Sequence, residues 1–391
     1  MTKKIFAIST LLLVLVAGAI FVYNFVFKKP SQKQEAEPAK TSEEGKVGQP
    51  TGTGKDSGAK KESGEPTVKA VSDEPVFGAT LSPDGNYLYI FLGSNGQLNQ
   101  TDLSGKLEKV ISTESFSNLR KVLWNKPENK VIVKTEPELG KTEFFYFDLA
   151  GKKVMPLKEN IDSVAWSSLG DKIIYKYYEP KTKKRTVSVA DPDGKNWRNL
   201  SEFNYQSVEI SPIPNSSLIS FWPSPNAFTA VSLNTIAFSG ENRKEILKDR
   251  YGADILWSPD GKNAAVSSSD QKGGHKIDLY LMNSLGGQFQ FLLFPTFASK
   301  CAWSADAKNL FCAMPGNIPE SATLPNDWLE GKITTSDTFW KIDIESGKKE
   351  RLVDPEKISG SFDALNLFLS QDEKTLFFIS KSDGKLYRLG F

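Results

Sequence analysis

The 391-residue sequence has a single histidine, His275, two cysteines, Cys301 and Cys312, and four methionines. One imidazole cannot build a histidine-rich metal centre, and two thiols at this spacing are no zinc cluster. A Ser-His-Asp triad would have to use His275. That residue sits in a glycine-rich stretch, and no GxSxG elbow occurs anywhere in the chain. No P-loop and no GxGxxG follows a strand-like run. Charge of one sign is lacking as well. Forty-nine Lys and Arg against forty-seven Asp and Glu leave a formal charge of +2, so no global field recommends nucleic acid as a partner. No cofactor and no metal is expected. What the sequence leaves open is chemistry from carboxylates that lie far apart in the chain.

One long apolar run is present. Lys3 and Lys4 precede an uncharged stretch over residues 5–27, which Lys28 and Lys29 close. As a helix this stretch reaches about 34 Å, enough for a bilayer core of about 30 Å. A cleaved signal peptide ending at Ala17-Gly18-Ala19 is the competing reading, but secretory h-regions are shorter and the residues beyond Ala19 are still apolar. The expectation is an uncleaved signal anchor with residues 1–4 in the cytoplasm and the rest of the chain outside it. Residues 28–65 follow as a linker. From residue 30 on it holds one aliphatic side chain larger than Ala, Val47, and no aromatic. Such a composition buries too little apolar surface to offset its ordering entropy, which predicts a disordered tether.

From residue 66 the chain repeats itself. An apolar strand end, a tight turn and a second apolar strand recur at Leu81, Trp124, Trp166, Ile210, Trp257, Trp303 and Leu369. The turns begin 42 to 47 residues apart, and only the last gap is stretched, to 66. That period is one four-stranded propeller blade. In Ser258-Pro259-Asp260-Gly261, Pro fixes φ at the second turn position and Gly serves the position wanting positive φ. Trp124, Trp166, Trp257 and Trp303 just before the turns are expected to pack between blades. A second turn recurs between the first ones, as DLSGK from Asp102, DLAGKK from Asp148, DPDGK from Asp191, NSLGG from Asn283 and DIESGKK from Asp343, with a degenerate copy near Gly240. It joins third to fourth strands. There are seven first turns against six second ones, so the last blade lacks a fourth strand. The segment Thr67-Val68-Lys69-Ala70-Val71 is predicted to supply it beside residues 385–389 and close the ring. The reading is an all-β chain with a seven-bladed propeller of four-stranded antiparallel blades over residues 66–391.

The WSPDGK run at Trp257, the strand IDLYLM and the Gly286-Gly287 pair make residues 254–294 resemble the bacterial WD40-like repeat of TolB-type and dipeptidyl-peptidase-IV amino-terminal propellers. Eukaryotic WD40 repeats are a poorer match, since no Trp-Asp dipeptide ends the blades. The resemblance implies a scaffold or binding platform at the cell envelope and implies no activity.

Function is therefore expected on loops. The second-to-third-strand loops share one face. They include the basic run with Lys183 and Arg185, the segment with Trp222, and the loop with His275. An insertion in blade six, residues 315–337, carries Ile318, Leu324, Trp328, Leu329 and Ile333, too apolar for a disordered loop. It is expected to fold over the loop face with Asp327 and Trp328 as partner contacts, and Asn326 or Asp327 is expected to cap a short helix. The turn register sets Cys301 opposite Cys312, which makes them a disulfide candidate with two buried thiols as the alternative. The expected role is binding a protein or an envelope polymer, with the membrane engaged through residues 5–27. An enzyme with carboxylates in the pore, a hydrolase or lyase, and a purely structural envelope subunit are the rivals.

Overall fold

The computed structural model describes residues 67–112 and 114–391. The expected anchor over 5–27 and linker over 28–65 lie outside the described residues. None of the helices among the described residues is long and apolar enough to cross a membrane.

Seven four-stranded antiparallel sheets follow one another. In six of them strands a to d follow one another across the sheet in chain order, as in blade five with Asp254–Trp257, Asn263–Ser269, Ile277–Asn283 and Gln290–Phe291. The recurrent turn joins strands a and b. Its serine hydroxyl donates to the aspartate two residues on, at 2.6 Å for Ser258–Asp260 and 2.7 Å for both Ser304–Asp306 and Ser370–Asp372. Gly261 closes the turn at φ 70°. A Cβ there would come within 1.8 Å of the Pro214 carbonyl oxygen in the preceding blade's turn, so close approach of two blades as well as backbone angle requires glycine.

The repeated tryptophans do more than fill space. The indole N–H of Trp166 donates to the Leu123 carbonyl at 2.8 Å, and that of Trp303 to the Leu256 carbonyl at 3.1 Å. Trp124 donates likewise to the Gly78 carbonyl, and Trp257 to the Ser220 hydroxyl at 2.8 Å. Each bond runs back to the preceding blade, so one residue type buries its ring in the interblade core and satisfies its polar end there. The core is divided accordingly. One cluster joins Ile132, Phe144 and Tyr146 of blade two to Trp166, Tyr175 and Tyr177 of blade three.

Val68–Ala70 is the outermost strand of blade seven, antiparallel to Leu386–Gly390, with Val68 opposite Leu389 and Ala70 opposite Tyr387. The ring is closed by its own N-terminal strand, as the turn count requires. In blade six Cys301 pairs with Cys312 across strands a and b, and the two are joined as a disulfide with Cα atoms 4.1 Å apart.

The blade-six insertion packs Ile318, Leu324, Trp328 and Ile333 with Ile277 and Phe297. The short helix Asn326–Leu329 begins differently from expectation. Pro325 occupies the cap position, and no side chain caps the helix. The Asn326 side chain instead accepts from the Ala227 N–H of blade four at 2.7 Å, and Leu324 N–H donates to the Gly274 carbonyl of blade five at 2.9 Å. The insertion thus reaches from blade six across blade five to blade four.

Candidate functional site

In each blade the loops joining strands b and c open on the same face as the connections from one blade to the next. Between blades two and three these segments leave a groove of about 710 Å3. One wall is strand c of blade two, Lys141–Asp148, with Phe144 and Phe145. Pro156, Leu157 and Asn160 of the interblade connection line it further. The other wall is blade three, where Asp162 lies on strand a, Lys176 and Tyr178 on strand b, and Arg185 on strand c. A second cavity of about 310 Å3 shares Phe144 and Asp162 with the groove and adds Lys121, Lys134 and Glu209. The two cavities adjoin at Phe144 and Asp162, the second lined by residues of the inner strands.

The cations here are held in different ways. Lys176 is 1% exposed, and its ammonium is bonded to the Asp162 carboxylate and the Gln206 carbonyl. It is a fixed floor charge with its partners in place. Arg185 lies over Tyr178, its guanidinium carbon 5.0 Å from the ring centre. Lys134 lies over Phe144 at 5.9 Å. Neither Arg185 nor Lys134 nor Lys121 forms an ion pair or a side-chain hydrogen bond among the described residues. Stacking on a ring leaves the edge donors of a guanidinium unspent.

The remaining expected contacts are elsewhere, and several have structural work. Trp222 lies on strand b of blade four at 3% exposure, packed with Val231, Leu233 and Trp257, so it is a core residue and no partner contact. Trp328 is also buried, at 4%, stacked on Phe297 at 4.4 Å. Its indole N–H donates to Asp363 at 3.0 Å. It covers Lys300, a fully buried lysine bonded to Asp337 at 2.6 Å, Asp363 at 2.7 Å, Thr335 at 3.0 Å and the Ala364 carbonyl at 3.0 Å. Burial pushes the Asp337 carboxyl up despite the lysine. At Asp363 burial is again the largest influence, but the Lys300 charge and the hydrogen bonds from Lys300, Trp328 and Thr335 carry that carboxyl below its ordinary value. The insertion is therefore a plug on a buried ion cluster. Asp327 is half-buried and accepts from Thr323 N–H at 2.7 Å while pairing with Lys332 at 3.3 Å. His275 is exposed, with Nδ1 against the Ala322 carbonyl at 2.8 Å, beside a separate cavity of about 540 Å3. Lys183 stands exposed at the tip of its turn with φ 57° and does not line the groove.

Of the expected residues only Arg185 lines the groove. Tyr178, Lys176, Asp162 and Lys134 were missed. One signal was present: Lys176 interrupts the apolar strand run Ile173-Ile174-Tyr175-Lys176-Tyr177-Tyr178, where a lysine needs a buried partner.

The inner strands carry a second feature. Asp254, on strand a of blade five, is pushed up to about 7, first by burial and then by the charge of Glu209, against the Ile255 N–H, Lys121 and the Trp222 indole. Among the described residues no group of three or more His, Cys, Asp or Glu is placed to hold a metal ion.

No protein-family model and no curated protein matches the sequence. Solved structures do. An oligogalacturonate lyase in complex with manganese is 14% identical with TM-score 0.58, over 83% of this chain and 93% of that one. The β-propeller domain of the Trilobed protease from Pyrococcus furiosus is 11% identical with TM-score 0.50, over 80% of this chain and 94% of that one. The fold is a seven-bladed β-propeller. A putative TolB from Agrobacterium tumefaciens is 19% identical with TM-score 0.45, over 61% of this chain and 93% of that one. At these identities the likeness speaks for the fold alone. The Pyrococcus furiosus propeller is described as having an open velcro topology, whereas strand Val68–Ala70 closes the ring here.

Proposed function

We propose that this propeller is a binding module, tethered to a membrane through residues 5–27 and displayed outside the cytoplasm. Its partner, a protein or an envelope polymer, is engaged by the groove between blades two and three. The observation that carries this reading is a large open groove with Arg185 and Lys134 stacked on ring faces and without acidic partners. Both cations border concave surface, where a partner can meet charged and apolar groups together. The 23-residue uncharged run supports the tether, and the Cys301–Cys312 bond suits an oxidising compartment.

A photocrosslinking side chain placed at Glu159 on the groove rim tests this in living cells, with Leu107 on the outer edge of blade one as the reference position. Discrete adducts at Glu159 alone are expected. Equal adduct patterns at both positions would contradict a groove-centred site.

The rival, an enzyme using inner-strand carboxylates, has one observation in its favour. Asp254 holds its proton up to about pH 7 beside a second acid, an arrangement suited to a general acid. A cavity of about 590 Å3 is lined by Lys121 and Glu209, but Asp254 itself is not on its wall, so binding is the preferred reading.

A further inference from the structure

We infer that the partner presented to this groove is an acidic peptide segment, its carboxylates taken by Arg185 and Lys134 and its apolar side chains by the Pro156–Leu157 wall. The inference rests on the binding reading above and names the partner's chemistry.

The charges left unpaired set what the groove can take. Lys176 and Asp162 cancel one another at the floor, and Lys141 and Glu143 pair at 3.0 Å on the rim. What remains is Arg185 on strand c with Lys134 and Lys121 toward the inner strands, three cations with no ion pair among the described residues, against Glu159 on the groove and Glu209 in the inner cavity. A guanidinium held over Tyr178 with no side-chain hydrogen bond keeps its donors for a carboxylate, which it can take in a two-bond fork. Lys134, in the adjoining cavity, adds a second anion position.

The class of anion follows from what the walls offer. A glycan would need a free aromatic face on which to stack a sugar ring. The Tyr178 face is taken by Arg185 and the Phe144 face by Lys134. A polyphosphate chain carries a charge at every unit, so unlike a peptide with spaced carboxylates it would have to set charge against the unpaired Glu159 and Glu209 and against the apolar wall. A peptide with spaced carboxylates suits both the cations and the aliphatic surface of Pro156 and Leu157 between them. Its backbone N–H groups are donors for the same acids that disfavour polyphosphate.

The probe is a fluorescein-labelled peptide of six Glu-Leu repeats, titrated against the full chain by anisotropy. A Gln-Leu counterpart and a labelled hyaluronan decasaccharide serve as comparisons. Specific binding of the Glu-Leu peptide that weakens with added salt is expected. R185A and K134A should each raise Kd about tenfold, while K109A on the outer edge of blade one leaves it unchanged. R185K should lose most of the affinity despite keeping its charge, because an ammonium cannot fork. Unchanged melting of each variant shows that the fold is intact. Equal binding of the Gln-Leu peptide, tighter binding of the oligosaccharide, no binding, or full affinity in R185K and R185A alike would each overturn the inference. Adducts at Glu159 in cells together with no Glu-Leu binding would refute the acidic-peptide assignment while leaving the groove as the site.

Discussion

At the scale of single residues, the unusual groups are the ones whose charge the fold has changed or confined. Asp254 has an ordinary value of 3.8 and is pushed up to about 7 by burial and Glu209. The folded chain therefore binds a proton there that the unfolded chain has released. Its contribution to stability is full below about pH 3.8, is lost as pH rises toward about 7, and changes little above that. Asp254→Asn removes the group. Thermal melting from pH 5 to pH 8 should show the parent losing several degrees relative to the variant, with the variant the more stable at pH 8. Parallel curves would show that Asp254 is ionised in the fold. Lys300 gives the second residue-scale expectation. Replacing it with Met strands Asp337 and Asp363 in the interior, at a cost of about 3–5 kcal/mol. Denaturant midpoints should show that loss, and Asp337→Asn with Asp363→Asn added to the Met variant should restore part of it. Neither group was legible in the sequence. Lys300 stands in Phe297-Ala298-Ser299-Lys300, where nothing local marks it as buried, since its partners come from the blade-six insertion and the start of blade seven.

At the scale of elements, turns were readable and loops were not. The Ser-Pro-Asp-Gly chemistry is local, so the strand a to strand b hairpins and the strand c to strand d turns could be placed from neighbouring residues alone. The register that puts Cys301 opposite Cys312 is also local. The bond closes a short loop, worth up to roughly 3 kcal/mol by restricting the unfolded chain. Cys301→Ser with Cys312→Ser should lower stability by up to that amount, and the parent should show the same loss under reducing conditions. No free thiols should be found in the unreduced protein, and two would contradict the bond. The insertion was read half correctly. Its apolar residues do order it across the loop face, but Trp328 points inward to Asp363 and Lys300. An exposed hot spot and a buried anchor are the same residue type in sequence, and only the long-range partner decides between them. Cutting the insertion out would uncover the ion cluster, so it would unfold blade six as well as remove a surface.

At the scale of the whole molecule, closure follows from counting, which is why the most distant pairing in the chain was legible. Deleting residues 67–71 removes the ladder to Leu386–Gly390 and leaves blade seven with three strands. A marked drop in melting temperature is expected, and an unchanged one would mean that the ring holds without its last strand. The groove was not legible, because its walls come from two blades and its character depends on which cations find partners. Arg185 was visible as part of a basic run, yet only the fold separates it from Lys183 two residues away. Hydrogen–deuterium exchange on the full chain, with and without the Glu-Leu peptide, bears most directly on the central claim. Slowed exchange is predicted at residues 141–145, 157–162 and 176–185, with the blade-six insertion and the turns of the opposite face unchanged. Protection confined to residues 316–336, or spread over the opposite face, would contradict it.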